Sequence, residues 1–116
     1  MKCGARLVKG KTSVLLHIGC GDRILPGFTN IDAFPGQGVD VVASAHELSM
    51  FEADSVDMVY ASHLLEYYDR FEARECLLEW WRVLKPGGIV RIAVPDFDAL
   101  ITVYESTGDL SSILGP

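Results

Sequence analysis

The stretch Val14-Leu15-Leu16-His17-Ile18-Gly19-Cys20-Gly21 constrains the fold more than any other part of the chain. An apolar run breaks at two glycines spaced by one residue, and a second stretch, opening at Phe28, ends on Asp32. A continuous apolar run bounded by turn signals reads as a strand covered on both faces, the condition of a parallel sheet. Glycines directly after it allow a turn in which backbone amides approach a ligand, because no Cβ stands in the way. A carboxylate at the tip of the next strand can accept hydrogen bonds from a ribose diol. The segment reads as the nucleotide-facing end of an α/β sheet.

The remaining elements follow the same alternation. Val14–Ile18 is the first strand, Phe28–Ile31 the second, Val39–Ala43 the third and Ser55–Tyr60 the fourth. Between them, Asp22–Gly27 is too short and too broken by Pro26 for more than one helical turn, and His46–Phe51 is read as one helical turn. Helical pieces are expected over His63–Tyr68 and Phe71–Leu84. In the second, Ala73, Cys76, Leu77, Trp80 and Leu84 fall at spacings of three and four, which directs them to the sheet. Lys85-Pro86-Gly87-Gly88 is expected to stop this helix and reverse the chain into a fifth strand, Ile89–Val94. Phe97–Glu105 reads as a short helix and 106–116 as a loose tail. Strands alternating with crossovers imply an α/β fold with a mostly parallel sheet of about five strands.

Composition narrows the function classes. The chain has 116 residues, 49% hydrophobic and 22% charged, the balance of one globular domain. A formal net charge of −6 argues against a nucleic-acid backbone as primary partner. Lys2, Arg6, Lys9 and Lys11 form a basic arm over residues 1–12, read either as a solvated end or as a substrate-touching arm. No window approaches a membrane span or a signal peptide. Cys3, Cys20 and Cys76 lie far apart without paired metal spacing, so no metal site is expected and a reducing cytoplasm is. Cys20 is read as a small side chain within the glycine loop.

On Gly19-Cys20-Gly21 followed by Pro26-Gly27-Phe28-Thr29-Asn30-Ile31-Asp32, on Asp54 to Glu66, and on Trp81-Arg82-Val83-Leu84-Lys85-Pro86-Gly87-Gly88, the chain resembles the class I S-adenosylmethionine-dependent methyltransferases. The resemblance covers about residues 13–96. It implies a Rossmann-like three-layer sandwich with strand order 3-2-1-4-5, here lacking the last two strands usual in the family. His17 stands where an acidic residue is usual, Arg23 where the last glycine of the loop is usual, and Tyr67 where a second histidine is usual. The resemblance implies S-adenosylmethionine as cofactor, with His17, Gly19, Cys20, Gly21, Asp32, Ser44, His46 and Ser62 as its site and His63 as an acceptor-side polar group or base. No aspartate lies between Asp40 and Asp54 to take the adenine amino group, and Ser44, His46 and Glu47 stand there instead.

Three function classes stay open at this point. The first is a methyltransferase acting on a small-molecule, sugar or lipid acceptor. The second is a non-catalytic, methyltransferase-like binding module. A nicotinamide oxidoreductase is disfavoured, because Ile24 occupies the position of the third glycine of that fingerprint. A fifth strand without further partners would be an exposed apolar edge, so a homodimer or swapped assembly through that edge is expected.

Overall fold

The computed structural model describes residues 7–8 and 11–109. Two short strands, β1 (Leu7–Val8) and β2 (Lys11–Thr12), pair antiparallel within the segment read as a basic arm. The rest is built on β3 (Leu15–Ile18), β4 (Thr29–Asp32), β5 (Val41–Val42), β6 (Val56–Ser62) and β7 (Leu84–Ala93), with helices α1 (Arg70–Val83) and α2 (Phe97–Thr107). The five strands form one parallel sheet in the order β5-β4-β3-β6-β7. In main-sheet numbering this is 3-2-1-4-5, the Rossmann-like arrangement. Its order reverses between β3 and β6, where open α/β sheets bind ligands at the carboxyl ends of the strands.

All four residues of β3 are buried, and the strand splits its side chains by the period of two. Leu16 and Ile18 join Ile31, Val59 and Ala61 in the main core, closed by Cys76, Trp80 and Val83 of α1. The stripe on α1 matches the spacing argument at Ala73, Cys76 and Trp80 but not at Leu77, which is 43% exposed. Val83 completes the stripe, and Leu84 has already left the helix. A capping box starts α1: Asp69 accepts from the N–H groups of Phe71 and Glu72, while Glu72 accepts the N–H of Asp69.

Several boundaries differ from the sequence reading. The third strand keeps only Val41–Val42. Its Asp40 carboxylate takes the Asn30 N–H at 2.7 Å, so a side chain occupies a place the ladder would have used. The 63–68 piece is a single 3₁₀ turn, Leu65–Tyr67. His46–Phe51 forms turns rather than helix, with Glu47 bonded back to Ser44 and Phe51 to Leu48. The fifth strand begins at Leu84, opposite Val56, and resumes at Ile89, opposite Met58. Lys85-Pro86-Gly87-Gly88 therefore bulges out of the ladder rather than preceding it.

Among the described residues β7 pairs only with β6 and forms the sheet edge. The helix expected at Phe97–Glu105 runs on through Thr107 and closes on Gly108, so the start of the expected loose tail is helical. Residues 110–116 of that tail lie outside the described residues, as do 1–6 and 9–10 of the basic arm.

Candidate functional site

The turn after β3 turns back onto β4. The N–H groups of Gly19 and Cys20 both donate to the Ile31 carbonyl, at 2.8 and 3.0 Å. Gly19 and Gly21 have φ of +72° and +54°, a region costly for any residue with a Cβ. The two glycines serve different ends. A Cβ on Gly19 would stand 2.9 Å from Leu64 Cδ1, whereas one on Gly21 would meet nothing within 4 Å. Gly19 lets the loop pack on Leu64, and Gly21 has open space around it.

Asp32 ties this loop to the tip of β4. One carboxylate oxygen accepts the N–H of Gly21 at 2.8 Å, and the other accepts the N–H of Phe34 at 3.0 Å. A carboxylate offers about four lone-pair sites, so each oxygen still has one to give. That is the capacity a vicinal diol needs.

A polar cluster around Asn30 holds the loop from beneath. The Asn30 amide donates to the carbonyls of Leu25 and Phe28 at 3.1 and 3.2 Å, and its Oδ1 accepts from the Leu25 N–H at 3.0 Å. Those bonds fix the amide orientation, so the 2.9 Å contact from His17 Nδ1 to Asn30 Oδ1 makes Nδ1 the donor. The His17 ring is buried and packs against Phe28 and Tyr60, the latter its register partner across β3 and β6. The sequence places Asn30 in a motif but assigns it no role. Its task depends on contacts with two loops that only the fold brings together.

At the carboxyl ends of β3 and β6 opens a cavity of about 560 Å³, lined by His17, Gly19, Cys20, Asp22, Arg23, Leu25, Tyr60, Ser62, His63 and Tyr67. Seven of these were named by the sequence reading: His17, Gly19, Cys20, Ser62 and His63 as site residues, and Arg23 and Tyr67 as departures from the resembled motifs. Tyr60, Asp22 and Leu25 were not singled out. The period of two places Tyr60 on the His17 face of the sheet, but only the register places the two side by side. Asp32 stands on the neighbouring strand tip.

Ser44 and His46 do not line the cavity. They follow β5, on the side of Asp32 away from it. Ala43 N–H donates to the Asp32 carbonyl there at 2.9 Å, and His46 is exposed. The Cys20 thiol is held above its ordinary value by burial first and by the nearby Asp32 charge second, so it stays protonated at neutral pH.

No helix among the described residues is long and apolar enough to cross a membrane. No curated protein matches the chain. A family described as a methyltransferase domain matches residues 28–92, from the start of β4 almost to the end of β7. This is more than half of the 116 residues, and with the parallel 3-2-1-4-5 sheet it establishes that the chain belongs to the methyltransferase domain family, in the class I Rossmann-like layout.

Proposed function

We propose that the chain binds S-adenosylmethionine across the carboxyl ends of β4, β3 and β6, and directs methyl transfer to an acceptor entering the cavity beside His63. The observation that carries this reading is the coupling of Gly21 to Asp32, which presents an open glycine backbone and a carboxylate with spare lone pairs on adjacent strand tips. In this reading Gly19, Cys20, Gly21, His17 and Asp32 hold the cofactor, with Ser44 and His46 on its adenine side and Ser62 and His63 toward the acceptor. When bound, S-adenosylmethionine supplies a methyl group made electrophilic by its sulfonium. The protein's part is alignment, and proximity and orientation can lower such a barrier by roughly 7–11 kcal/mol. The acceptor is a small molecule, a sugar or a lipid.

Titration calorimetry with S-adenosylmethionine and S-adenosylhomocysteine tests the reading. Micromolar affinity, lost in Asp32→Ala, supports it. No binding at millimolar ligand favours a non-catalytic, methyltransferase-like module, a second reading supported by the exposed His46 and the absence of an aspartate between Asp40 and Asp54.

Two further parts of the reading concern setting. The β7 edge, with Val90 and Ile92 45 and 40% exposed and Val94 just beyond it 52% exposed, supports pairing with a second copy of the chain. Light scattering that finds a monodisperse monomer removes that part. A reducing cytoplasm is supported by Cys20 and Cys76, both buried free thiols.

A further inference from the structure

We infer that Glu66 is a positioning residue for His63, and that the methyl acceptor is one that must shed a proton, a hydroxyl or an amine N–H. The inference rests on the methyltransferase reading and names the acceptor class for that same site. His63 is the first residue after β6, and its N–H donates to the Ala93 carbonyl at the end of β7 at 2.7 Å. Its φ is +54°, a left-handed backbone that residues bearing a side chain adopt seldom. Such outliers gather at functional sites, where the surrounding structure holds them in place. Here the anchor is the tip of a sheet strand, and the side chain lines the cavity.

The 3₁₀ turn that follows brings positions three apart onto one side. Glu66 is in that turn and His63 just before it, and Glu66 Oε2 lies 3.3 Å from His63 Nδ1. The carboxylate is the more sheltered partner, 26% exposed against 58% for the imidazole. A carboxylate beside Nδ1 favours the tautomer carrying its proton there, which leaves the lone pair on Nε2. It also stabilises the imidazolium that forms once Nε2 has taken a proton. The acceptor then loses H⁺ to Nε2 and gains CH₃⁺ at the same heteroatom, while the electron pair of the broken carbon–sulfur bond stays on sulfur.

The other titratable groups around the cavity lack this arrangement. His17 is buried against aromatic rings and faces the neutral amide of Asn30. Cys20 is held protonated. Tyr60 lies against the His17 ring, and Tyr67, Asp22 and Arg23 line the opening without a carboxylate placed behind a base.

The test is imidazole NMR on protein labelled with ¹⁵N-histidine, with and without S-adenosylhomocysteine, across pH. The neutral His63 ring is expected to carry its proton on Nδ1. Glu66→Gln should mix the tautomers. Alongside, transfer of labelled methyl from S-adenosylmethionine to phenol and to benzylamine is followed. His63→Ala should slow it about 100-fold, and Glu66→Gln about 10-fold, with cofactor affinity by calorimetry unchanged in both. A proton on Nε2, or a tautomer that Glu66→Gln leaves unchanged, overturns the positioning role. Transfer to neither probe faster than His63→Ala achieves overturns the acceptor class. Loss of cofactor binding in the unaltered chain overturns the methyltransferase reading instead, and the tautomer result separates the two failures.

Discussion

The carboxylate of Asp32 accepts the backbone N–H of Gly21 at 2.8 Å, which ties the glycine loop to the tip of β4. A ligand that engages Asp32 therefore meets a loop already placed. Charge-assisted hydrogen bonds from two hydroxyls contribute roughly 1.5–3 kcal/mol each. Asp32→Ala is expected to weaken S-adenosylmethionine binding by about 100-fold or more. The Gly21 and Phe34 donors are exposed and can turn to water, so the thermal midpoint should fall only a few degrees. Calorimetry beside a melting curve reads both, and an affinity that does not change removes Asp32 from the site.

The two loop glycines should part company on substitution. Gly19→Ala combines a left-handed penalty of about 1–2 kcal/mol with a Cβ pressed 2.9 Å from Leu64 Cδ1. Gly21→Ala incurs only the backbone penalty, because space is open around it. Urea denaturation should rank Gly19→Ala as the more damaging. Adding Leu64→Ala to it should recover part of the loss, giving a double-mutant coupling of about 1 kcal/mol. Additive losses would place the cost of Gly19→Ala elsewhere than Leu64.

Asn30 is buried and satisfies His17, both backbone groups of Leu25 and the Phe28 carbonyl. Asn30→Ala strands several of these partners, at about 1–3 kcal/mol for each group that water does not reach. A total loss of about 2–4 kcal/mol in chemical denaturation is the expected outcome. Asn30→Asp should be worse, because a carboxylate cannot donate to the two carbonyls and meets the Asp40 charge 3.5 Å away. If Asn30→Asp proves as stable as the parent, the amide is not the donor the geometry makes it.

Stability should also depend on pH through Glu79. Its carboxyl is held below the ordinary glutamate value, first by the hydrogen bond from Arg82 and then by the Leu48 N–H, against the opposing effect of burial. A lowered folded-state value means the stabilisation is complete above the ordinary range, about pH 4.3. It is lost as the pH falls through the lower folded-state value. Glu79→Gln should be less stable than the parent by about 1 kcal/mol at pH 7, and the gap should close in acid. A gap that stays constant to pH 2 would separate Glu79 from this linkage.

Much of the layout was legible from residue order. The apolar run before Gly19 has no polar alternation, so it had to be covered on both faces, and the crossover rules then leave few sheets to choose from. Gly19, Gly21 and Asp32 were legible for the same reason: positive φ and a strand-tip carboxylate are local requirements. Where the reading erred, a contact distant in sequence had intervened. Asp40 replaced part of the third strand by capping Asn30. The segment 46–51 stayed as turns because its polar groups are taken by α1: Trp80 Nε1 donates to the Ala45 carbonyl, Glu79 accepts the Leu48 N–H, and Arg82 donates to the Leu48 and Phe51 carbonyls.

By itself, then, the sequence determined the succession of strands along the chain, the turn that must be glycine and the carboxylate that follows it. Each depends on backbone conformation and hydrophobic period, properties carried by neighbours in the chain. Only the tertiary structure decided that His17 meets Tyr60, that Asn30 holds the loop, and that Ser62 and His63 share a cavity with Gly19. Those pairings follow from strand register and from the packing of α1 on the sheet. Register is settled by the whole buried face at once, because a slip of one residue would turn every core side chain of a strand to the opposite face.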